Sequence, residues 1–217
     1  MTQDLTLDEI RAKLAPGIAA NAAFDGWSDA ARDMAAQGEG IDTDVAALAF
    51  KDSPVDMIDA WFAHIDGVML AAVPPERLAV MKVREKITGL VEARLDATSI
   101  DRESLRRALA ILALPQNLAK TTRLGWRTVD TIWRAAGDVA TDYNYYTKRT
   151  ILLGVYASTI TVFLDDESEG LAETRAFLGR RINGIMQFEK AKAGFLKRTE
   201  HSFSLSRFVG RLRYPTA

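Results

Sequence analysis

The chain has 217 residues, of which 48% are hydrophobic and 26% are charged, and its formal net charge is −1. This length and composition are typical of a globular protein with a sizeable core, and they exclude a mainly disordered chain. The sequence contains no cysteine, which excludes disulfide scaffolds, thiolate metal sites and cysteine nucleophiles.

Apolar residues repeat at helical spacing along nearly the whole chain, so we predict an all-α fold. The first helix is predicted over residues 5–20, and the second from about Asp25 to the glycines at 38 and 40. Thr43 is predicted to cap a short third helix that ends at Phe50. Ser53 and Pro54 begin a long fourth helix, whose apolar stripe is Val55, Ile58, Phe62, Ile65 and Met69.

Prolines and glycines divide the remaining chain into further helices. Pro75 is predicted to open one helix, with the stripe Val80, Val83, Ile87, Leu90, Val91 and Leu95. Asp101 is predicted to cap the next helix, and Gly137 to end the one that carries Trp126 and Trp133. The apolar run 151–164 predicts a buried helix, shorter than the roughly 20 residues that span a membrane. A solvated turn at 165–168 and a last helix over 171–198 complete the prediction.

Charge is distributed unevenly along the chain. Residues 1–66 contain four basic and 13 acidic residues, a net of −9, whereas residues 180–217 contain nine basic residues against Glu189 and Glu200. The first three helices and the junction from Phe50 to Pro54 resemble the helix-turn-helix start of the TetR-like class. Because a DNA reader needs basic residues to neutralise phosphates, we expect this part not to bind nucleic acid.

The sequence lacks the common catalytic and metal-binding motifs. It contains no Glu-x-x-His pair, no His-Glu-x-x-His, no phosphate-binding Gly-x-x-x-x-Gly-Lys and no Gly-x-Ser-x-Gly. We therefore expect a binding protein without catalytic residues or a metal.

Three tyrosines follow one another closely in the segment 137–149. Tyr143, Tyr145 and Tyr146 cannot all face one interior on a helix of 3.6 residues per turn, so at least one ring should be exposed beside charge. Exposed tyrosine with arginine and aspartate is typical of a protein-binding hot spot; a helix cap with core aromatic residues is the structural alternative.

The chain resembles the bacterial branch of the coenzyme Q biosynthesis accessory family, the Coq-nine proteins, in the string GDVATDYNYYTKRTILLGVYASTI. FLDDESE and FLGRRINGIMQFEKAK follow it, and FDGWSDAA, LALPQN and WRTVDTIWRAAGD precede it, so the resemblance covers roughly residues 20–195. It implies a TetR-like homodimer that does not bind DNA. It also implies an apolar pocket for an isoprenoid quinone intermediate or a phospholipid, with no cofactor.

The resemblance further implies a ubiquinone-pathway hydroxylase as the partner. Its docking patch corresponds to Asp142, Asn144, Tyr145 and Tyr146. For the lipid we predict five neighbours on apolar helices, although the periodicity fits a packed core as well as a cavity: Ile132, Trp133, Leu152, Tyr156 and Ile185.

The C-terminal segment combines apolar residues with a basic flank. This pattern predicts a short amphipathic helix on an anionic membrane, or alternatively one docked on a subunit. Its membrane-contact residues are predicted as Phe203, Leu205, Arg207, Phe208, Arg211 and Leu212.

Together these features predict three regions and one function. Residues 1–53 form a helix-turn-helix-like part, residues 54–200 the lipid-binding and dimerisation domain, and residues 201–217 the cationic tail. The expected function is a non-enzymatic lipid-binding accessory role in ubiquinone biosynthesis, in the cytoplasm and peripheral to the bacterial inner membrane. The alternatives are a TetR-like lipid-sensing transcription regulator and an enzyme with an unrecognised carboxylate site.

Overall fold

The computed structural model describes residues 5–50, 54–141 and 143–200, with side chains as far as Gln187 except that of Met186. The described residues form ten α-helices and no strand, which confirms the predicted all-α class. The helices are α1 Leu7–Asp25, α2 Asp29–Gly38, α3 Thr43–Ala49, α4 Pro54–Ala72, α5 Pro75–Ala79, α6 Val83–Ala97, α7 Arg102–Leu112, α8 Leu118–Ala135, α9 Tyr143–Asp165 and α10 Ala172–Glu200.

The chain divides into two compact units, residues 1–178 and residues 179–217. In the first unit, α1, α2 and α3 pack on one another, and α1 also packs on α4 and α7. The long helix α4 then contacts α6 and α8, and α8 packs along α9. The second unit contains the remainder of α10.

The starts of α1 and α3 are capped by side chains, and the starts of α3 and α7 differ from the prediction. The Thr6 hydroxyl accepts a hydrogen bond from the Glu9 amide, and the Glu9 carboxylate accepts one from the Thr6 amide, a reciprocal box that starts α1. The cap of α3 is Asp42, which accepts from the amides of residues 44 and 45, and not Thr43. At α7, Asp101 precedes the helix but makes no capping hydrogen bond with its side chain.

The helix predicted after Pro75 is two helices in the structure. α5 ends at Ala79, and α6 begins at Val83 where the Glu85 carboxylate accepts the Lys82 amide at 2.9 Å. Val80 and Val83, assigned to the buried stripe, are instead exposed. That assignment was wrong because the turn between the helices shifts the phase of the stripe.

Two tryptophans anchor the core beneath α1. The rings of Trp27 and Trp61 lie 5.3 Å apart, and the Trp27 indole donates to the carbonyl of Ser104 on α7 at 3.0 Å. The predicted α4 stripe is confirmed, with every member buried: Val55, Ile58, Phe62, Ile65 and Met69.

The apolar helix α9 is buried on one side only. Within its apolar stretch 151–164, which was predicted to be a buried helix, the exposed positions are small or polar: Gly154, Ala157 and Thr161. The turn after α9 was predicted to be solvated, yet Asp166 is buried and accepts hydrogen bonds from the amide and hydroxyl of Thr174 at 2.8 and 2.6 Å. Burial opposes the ionised form of Asp166, but these hydrogen bonds and those from Ser168 hold its pKa well below the usual range.

Candidate functional site

The turn between α8 and α9 brings two separate stretches of aromatic residues together. α8 ends at Ala135, Gly137 adopts a φ of +91°, and the amide of Asp138 donates to the Trp133 carbonyl at 2.9 Å. A positive φ with this back-bond is the usual glycine stop of a helix, and it confirms Gly137 as the predicted end. The first turn of α9 consequently lies beside the middle of α8.

Three rings form what we call the aromatic surface, Trp126, Tyr145 and Tyr146. The Trp126 ring centroid lies 6.1 Å from that of each tyrosine, and the two tyrosines meet edge to face at 5.0 Å. Tyr146 is 60% exposed, and the neighbouring Tyr143 is 80% exposed. The predicted exposure of at least one tyrosine is therefore confirmed.

Arg149 is the buried support of the aromatic surface. Its guanidinium donates to Asp130 at 2.7 Å and to Asp138 at 3.0 Å, and lies 3.6 Å from the centroid of the Tyr145 ring. The Tyr145 hydroxyl donates to the same Asp130 carboxylate at 3.2 Å. Because Arg149 is only 1% exposed, this fork of contacts fixes the Tyr145 ring against α8.

The charges beneath the aromatic surface are strongly coupled. Burial alone would raise the pKa of both Asp130 and Asp138, but the hydrogen bonds and positive charge of Arg149, with Lys148 at Asp138, lower each pKa below its ordinary value. Burial would likewise lower the pKa of Arg149, and its two carboxylate partners raise it instead. All three groups are therefore ionised at neutral pH.

Lys148 and Trp133 close the same turn from its other side. The Lys148 ammonium donates to Asp138 at 2.7 Å and lies 5.4 Å from the Trp133 ring centroid, while the Trp133 indole donates to the Lys148 carbonyl at 3.2 Å. Trp133, predicted as a lipid neighbour, is half-buried with its indole N–H engaged at this turn.

The structure brings together some of the predicted docking residues. Tyr145 and Tyr146 share the aromatic surface, Asn144 is exposed in the same first turn of α9, and Asp142 lies outside the described residues. Sequence reasoning gave no docking role to Trp126 or Asp130. Trp126 and Asp130 are four residues apart on α8, as Tyr145 and Arg149 are on α9, so each pair shares one face of its helix. This matching spacing is the sequence signal that could have indicated their contact.

The predicted lipid neighbours occupy different environments. Ile132 on α8 and Leu152 and Tyr156 on α9 are buried. Ile185 is half-buried in the second unit. Their assignment to a lipid pocket stays a prediction.

Tyr156 borders a buried ionic cluster that the sequence did not predict. Arg94 on α6 is fully buried, with its guanidinium 5.5 Å from the Tyr156 ring centroid and 5.4 Å from that of Phe62. It donates to Thr128 at 3.1 Å, and its Nε forms an ion pair with Asp66 Oδ1 at 3.1 Å. Burial raises the pKa of Asp66, an effect that Arg94 and Arg127 only partly oppose.

The described part of the chain contains neither a candidate membrane span nor a candidate metal site. No described helix is long and apolar enough to cross a membrane. No group of three or more described histidine, aspartate or glutamate side chains could hold a metal ion. The predicted membrane-contact residues lie outside the described residues: Phe203, Leu205, Arg207, Phe208, Arg211 and Leu212.

Residues 118–189 match the family model of COQ9, and this segment includes the whole aromatic surface and its support. The chain is 32% identical over 167 residues to "Ubiquinone biosynthesis protein COQ9, mitochondrial" of Rattus norvegicus, an alignment that covers 74% of this chain and 54% of the rat protein. It is 40% identical over 96 residues to "Ubiquinone biosynthesis protein COQ9-B, mitochondrial" of Xenopus laevis, covering 44% of this chain and 33% of that protein. The chain thus spans about half the length of the rat protein.

The fold is also similar to a solved structure, "Crystal structure of the TetR transcriptional regulator from Nitrosomonas europaea ATCC 19718". The TM-score is 0.64 at 23% identity, with 80% of this chain and 95% of that chain covered. This likeness confirms the predicted TetR-like helical fold.

Proposed function

We propose that this chain, whose residues 118–189 match the COQ9 family model, acts in ubiquinone biosynthesis as a lipid-binding accessory protein. It holds an isoprenoid quinone intermediate among apolar helices and presents it to a membrane-associated hydroxylase. The hydroxylase performs the chemistry, and this chain contributes binding and orientation. It works as a homodimer at the cytoplasmic face of the bacterial inner membrane.

The observation that carries this proposal is the aromatic surface within the family segment. An exposed tyrosine packed on a tryptophan and a second tyrosine offers a rigid apolar area with polar tips. The charge network of Arg149 beneath it is already paired, so docking requires no new burial of an unpaired charge. We assign the hydroxylase contact to Asp142, Asn144, Tyr145 and Tyr146.

The lipid is assigned to the interior between α8 and α9. Buried apolar side chains there support the proposal, and Tyr156 adds a polar hydroxyl beside the Arg94 cluster. The proposed lipid neighbours in the first unit are Ile132, Trp133, Leu152 and Tyr156, while the lipid role of Ile185 in the second unit stays a separate prediction. The cationic segment 201–217 supplies membrane contact in this scheme.

A transcription regulator of the TetR-like class is the alternative that the fold suggests. The charge of α2 and α3 argues against it: Arg32 is paired with Asp29 at 2.7 Å and with Asp33 at 2.8 Å, and α3 exposes Asp44 and contains no basic residue. Helices that present carboxylates repel the phosphates of duplex DNA.

Replacing Tyr146 by alanine tests docking and lipid binding separately. Because the ring is largely exposed, Tyr146→Ala should leave folding unchanged, and the purified variant should retain the same co-purifying lipid by mass spectrometry. In a host that depends on this chain, ubiquinone should fall several-fold and its unhydroxylated precursor should accumulate. Phe24→Ala, which removes a ring that is 84% exposed on α1, is the matched control and should behave as the wild type.

Each proposed role has its own contradicting result. Normal ubiquinone content with Tyr146→Ala would remove the docking role from the aromatic surface. An intact wild-type protein from which organic solvent extracts no lipid would contradict lipid binding. Phospholipid alone would retain the lipid-binding role and contradict a bound quinone intermediate.

A further inference from the structure

The turn between α5 and α6 exposes apolar and basic side chains side by side. Val80 is 87% exposed and Val83 is 57% exposed. Arg77, Lys82 and Arg84 are exposed in the same short stretch. We call residues 77–84 the basic turn.

The basic turn is held in a fixed conformation. Leu78 is buried beneath it, the Met81 amide donates to the Leu78 carbonyl at 3.1 Å, and the Lys82 amide donates to Glu85 at 2.9 Å. The Met81 side chain lies against Gly89 on α6. The two valines are therefore turned outward by a well-anchored backbone.

The net charge of the sequence around the basic turn is positive. Residues 75–86 contain four basic and two acidic residues, and one of the acids, Glu85, is engaged by the Lys82 amide. A cleft of about 510 Å³ beside the turn is lined by three basic residues, Arg77, Lys82 and Arg84, and by two acidic residues, Glu85 and Glu92. Glu92 is paired with Arg175 at 3.3 Å, so the cations remain available to an anion in the cleft.

We propose that the basic turn is a membrane contact of the folded unit, which fits the surface of an anionic phospholipid bilayer. The valines enter the boundary between headgroups and acyl chains, where exposed apolar area is removed from water. Arg77, Lys82 and Arg84 bind headgroup phosphates, and each cation near such a surface strengthens binding about fivefold. The proposal deepens the proposed function, on which it rests for the choice of a bilayer as the partner.

A fluorescent label at Val80 tests this contact directly. Because the chain contains no cysteine, Val80→Cys carries a single site for a nitrobenzoxadiazole label on the full chain. With vesicles of phosphatidylcholine and phosphatidylglycerol the label should shift to the blue, and the shift should weaken with added salt. Ile100→Cys is the matched control, since Ile100 is 95% exposed and adjoins Asp101, and its label should not shift.

Substitutions without a label give a second measurement. Val80→Asp with Val83→Asp should weaken co-sedimentation with the same vesicles by about tenfold, as should reversal of the charges at Arg77 and Arg84. Ile100→Asp should leave co-sedimentation unchanged. All substituted positions are exposed, so far-ultraviolet circular dichroism should match the wild type.

The outcomes separate this contact from the other roles. An unshifted label at position 80 on protein that sediments with vesicles would mean that another segment makes the contact, and would overturn the proposal. Absence of sedimentation would overturn it as well. A shift produced by a membrane-free protein extract but not by vesicles would assign the turn to a protein partner instead. The docking role is judged apart from all of these by the ubiquinone content of Tyr146→Ala.

Discussion

Arg149 shows why one side chain can determine the geometry of a surface without being part of it. Its planar guanidinium reaches two carboxylates in different directions, Asp130 on α8 and Asp138 in the following turn, while its face covers the Tyr145 ring. A lysine ammonium lacks both the fork and the flat face. Only arginine can make all of these contacts at position 149.

Arg149→Met should destabilise the protein by about 3 kcal/mol at pH 7, because it leaves carboxylates without their buried cation. The pKa of both partners is lowered in the fold, so their contribution is present above the unfolded value of about 4 and is lost as the pH falls through the folded value. The difference between variant and wild type should accordingly shrink in acid, as measured by urea unfolding at pH 7 and pH 3.

The matched control is Arg134→Met. Arg134 pairs with the same Asp130 at 2.8 Å but lies at the surface, where an ion pair contributes roughly 1 kcal/mol or less. Equal losses for the two variants would mean that the burial of Arg149 does not matter.

At the scale of elements, Gly125 on α8 lies opposite Leu153 on α9. A Cβ at Gly125 would lie 3.0 Å from Leu153 Cδ1, a tight contact that requires the Leu153 side chain to shift, whereas nothing lies within 4 Å of the corresponding position at Gly154. A helix gains about 1 kcal/mol when glycine is replaced by alanine, so the neighbouring packing decides the result at each site.

Gly125→Val should cost about 1–3 kcal/mol, because the added methyl groups push Leu153 away and part the two helices. Gly154→Ala, on the exposed side of α9, should instead stabilise the protein by up to about 1 kcal/mol. Adding Leu153→Ala to Gly125→Val should recover part of the loss, as measured by thermal unfolding. An additive double variant would contradict direct contact between the two positions.

Elements were predictable where a local pattern sets them. The stripe of α4 follows from apolar spacing alone, and the exposure of a tyrosine follows from three rings on one turn. The break between α5 and α6 is not marked by a proline or glycine at positions 80–82. It lies where the Lys82 amide donates a hydrogen bond to the Glu85 carboxylate. A polar contact of this kind has no hydrophobic period.

The supports of the candidate site were not predictable for a related reason. Asp130 and Arg149 are 19 positions apart in the sequence. Taken alone, each is a charged residue of the kind that usually lies on the solvated face of a helix. Only the stop at Gly137, which reverses the chain, turns that separation into a contact. Asp166 was assigned to a solvated turn for the same reason, since its partners at Thr174 belong to the next helix.

At the scale of the molecule, the Asp66–Arg94 cluster joins four helices of the first unit. Asp66 is on α4, Arg94 on α6, Thr128 on α8 and Tyr156 on α9. Such a cluster adds little net stability over a packed apolar core, yet removing one partner leaves a buried charge. Its contribution is therefore to fix how the four helices meet, which determines the shape of the interior where we place the lipid.

Asp66→Asn should destabilise the protein by about 3–5 kcal/mol, because Arg94 then has no counter-charge in the core. Arg94→Met should lose stability as the pH rises above about 4, since the pKa of Asp66 is already raised by burial and, without its cation, the carboxyl ionises only at a further cost. The combination Asp66→Leu with Arg94→Met removes both charges and should lie within about 1 kcal/mol of the wild type. Urea unfolding of the three variants measures these free energies. If the double variant loses as much stability as the two single variants together, the two side chains act independently, and the cluster does not hold the four helices together.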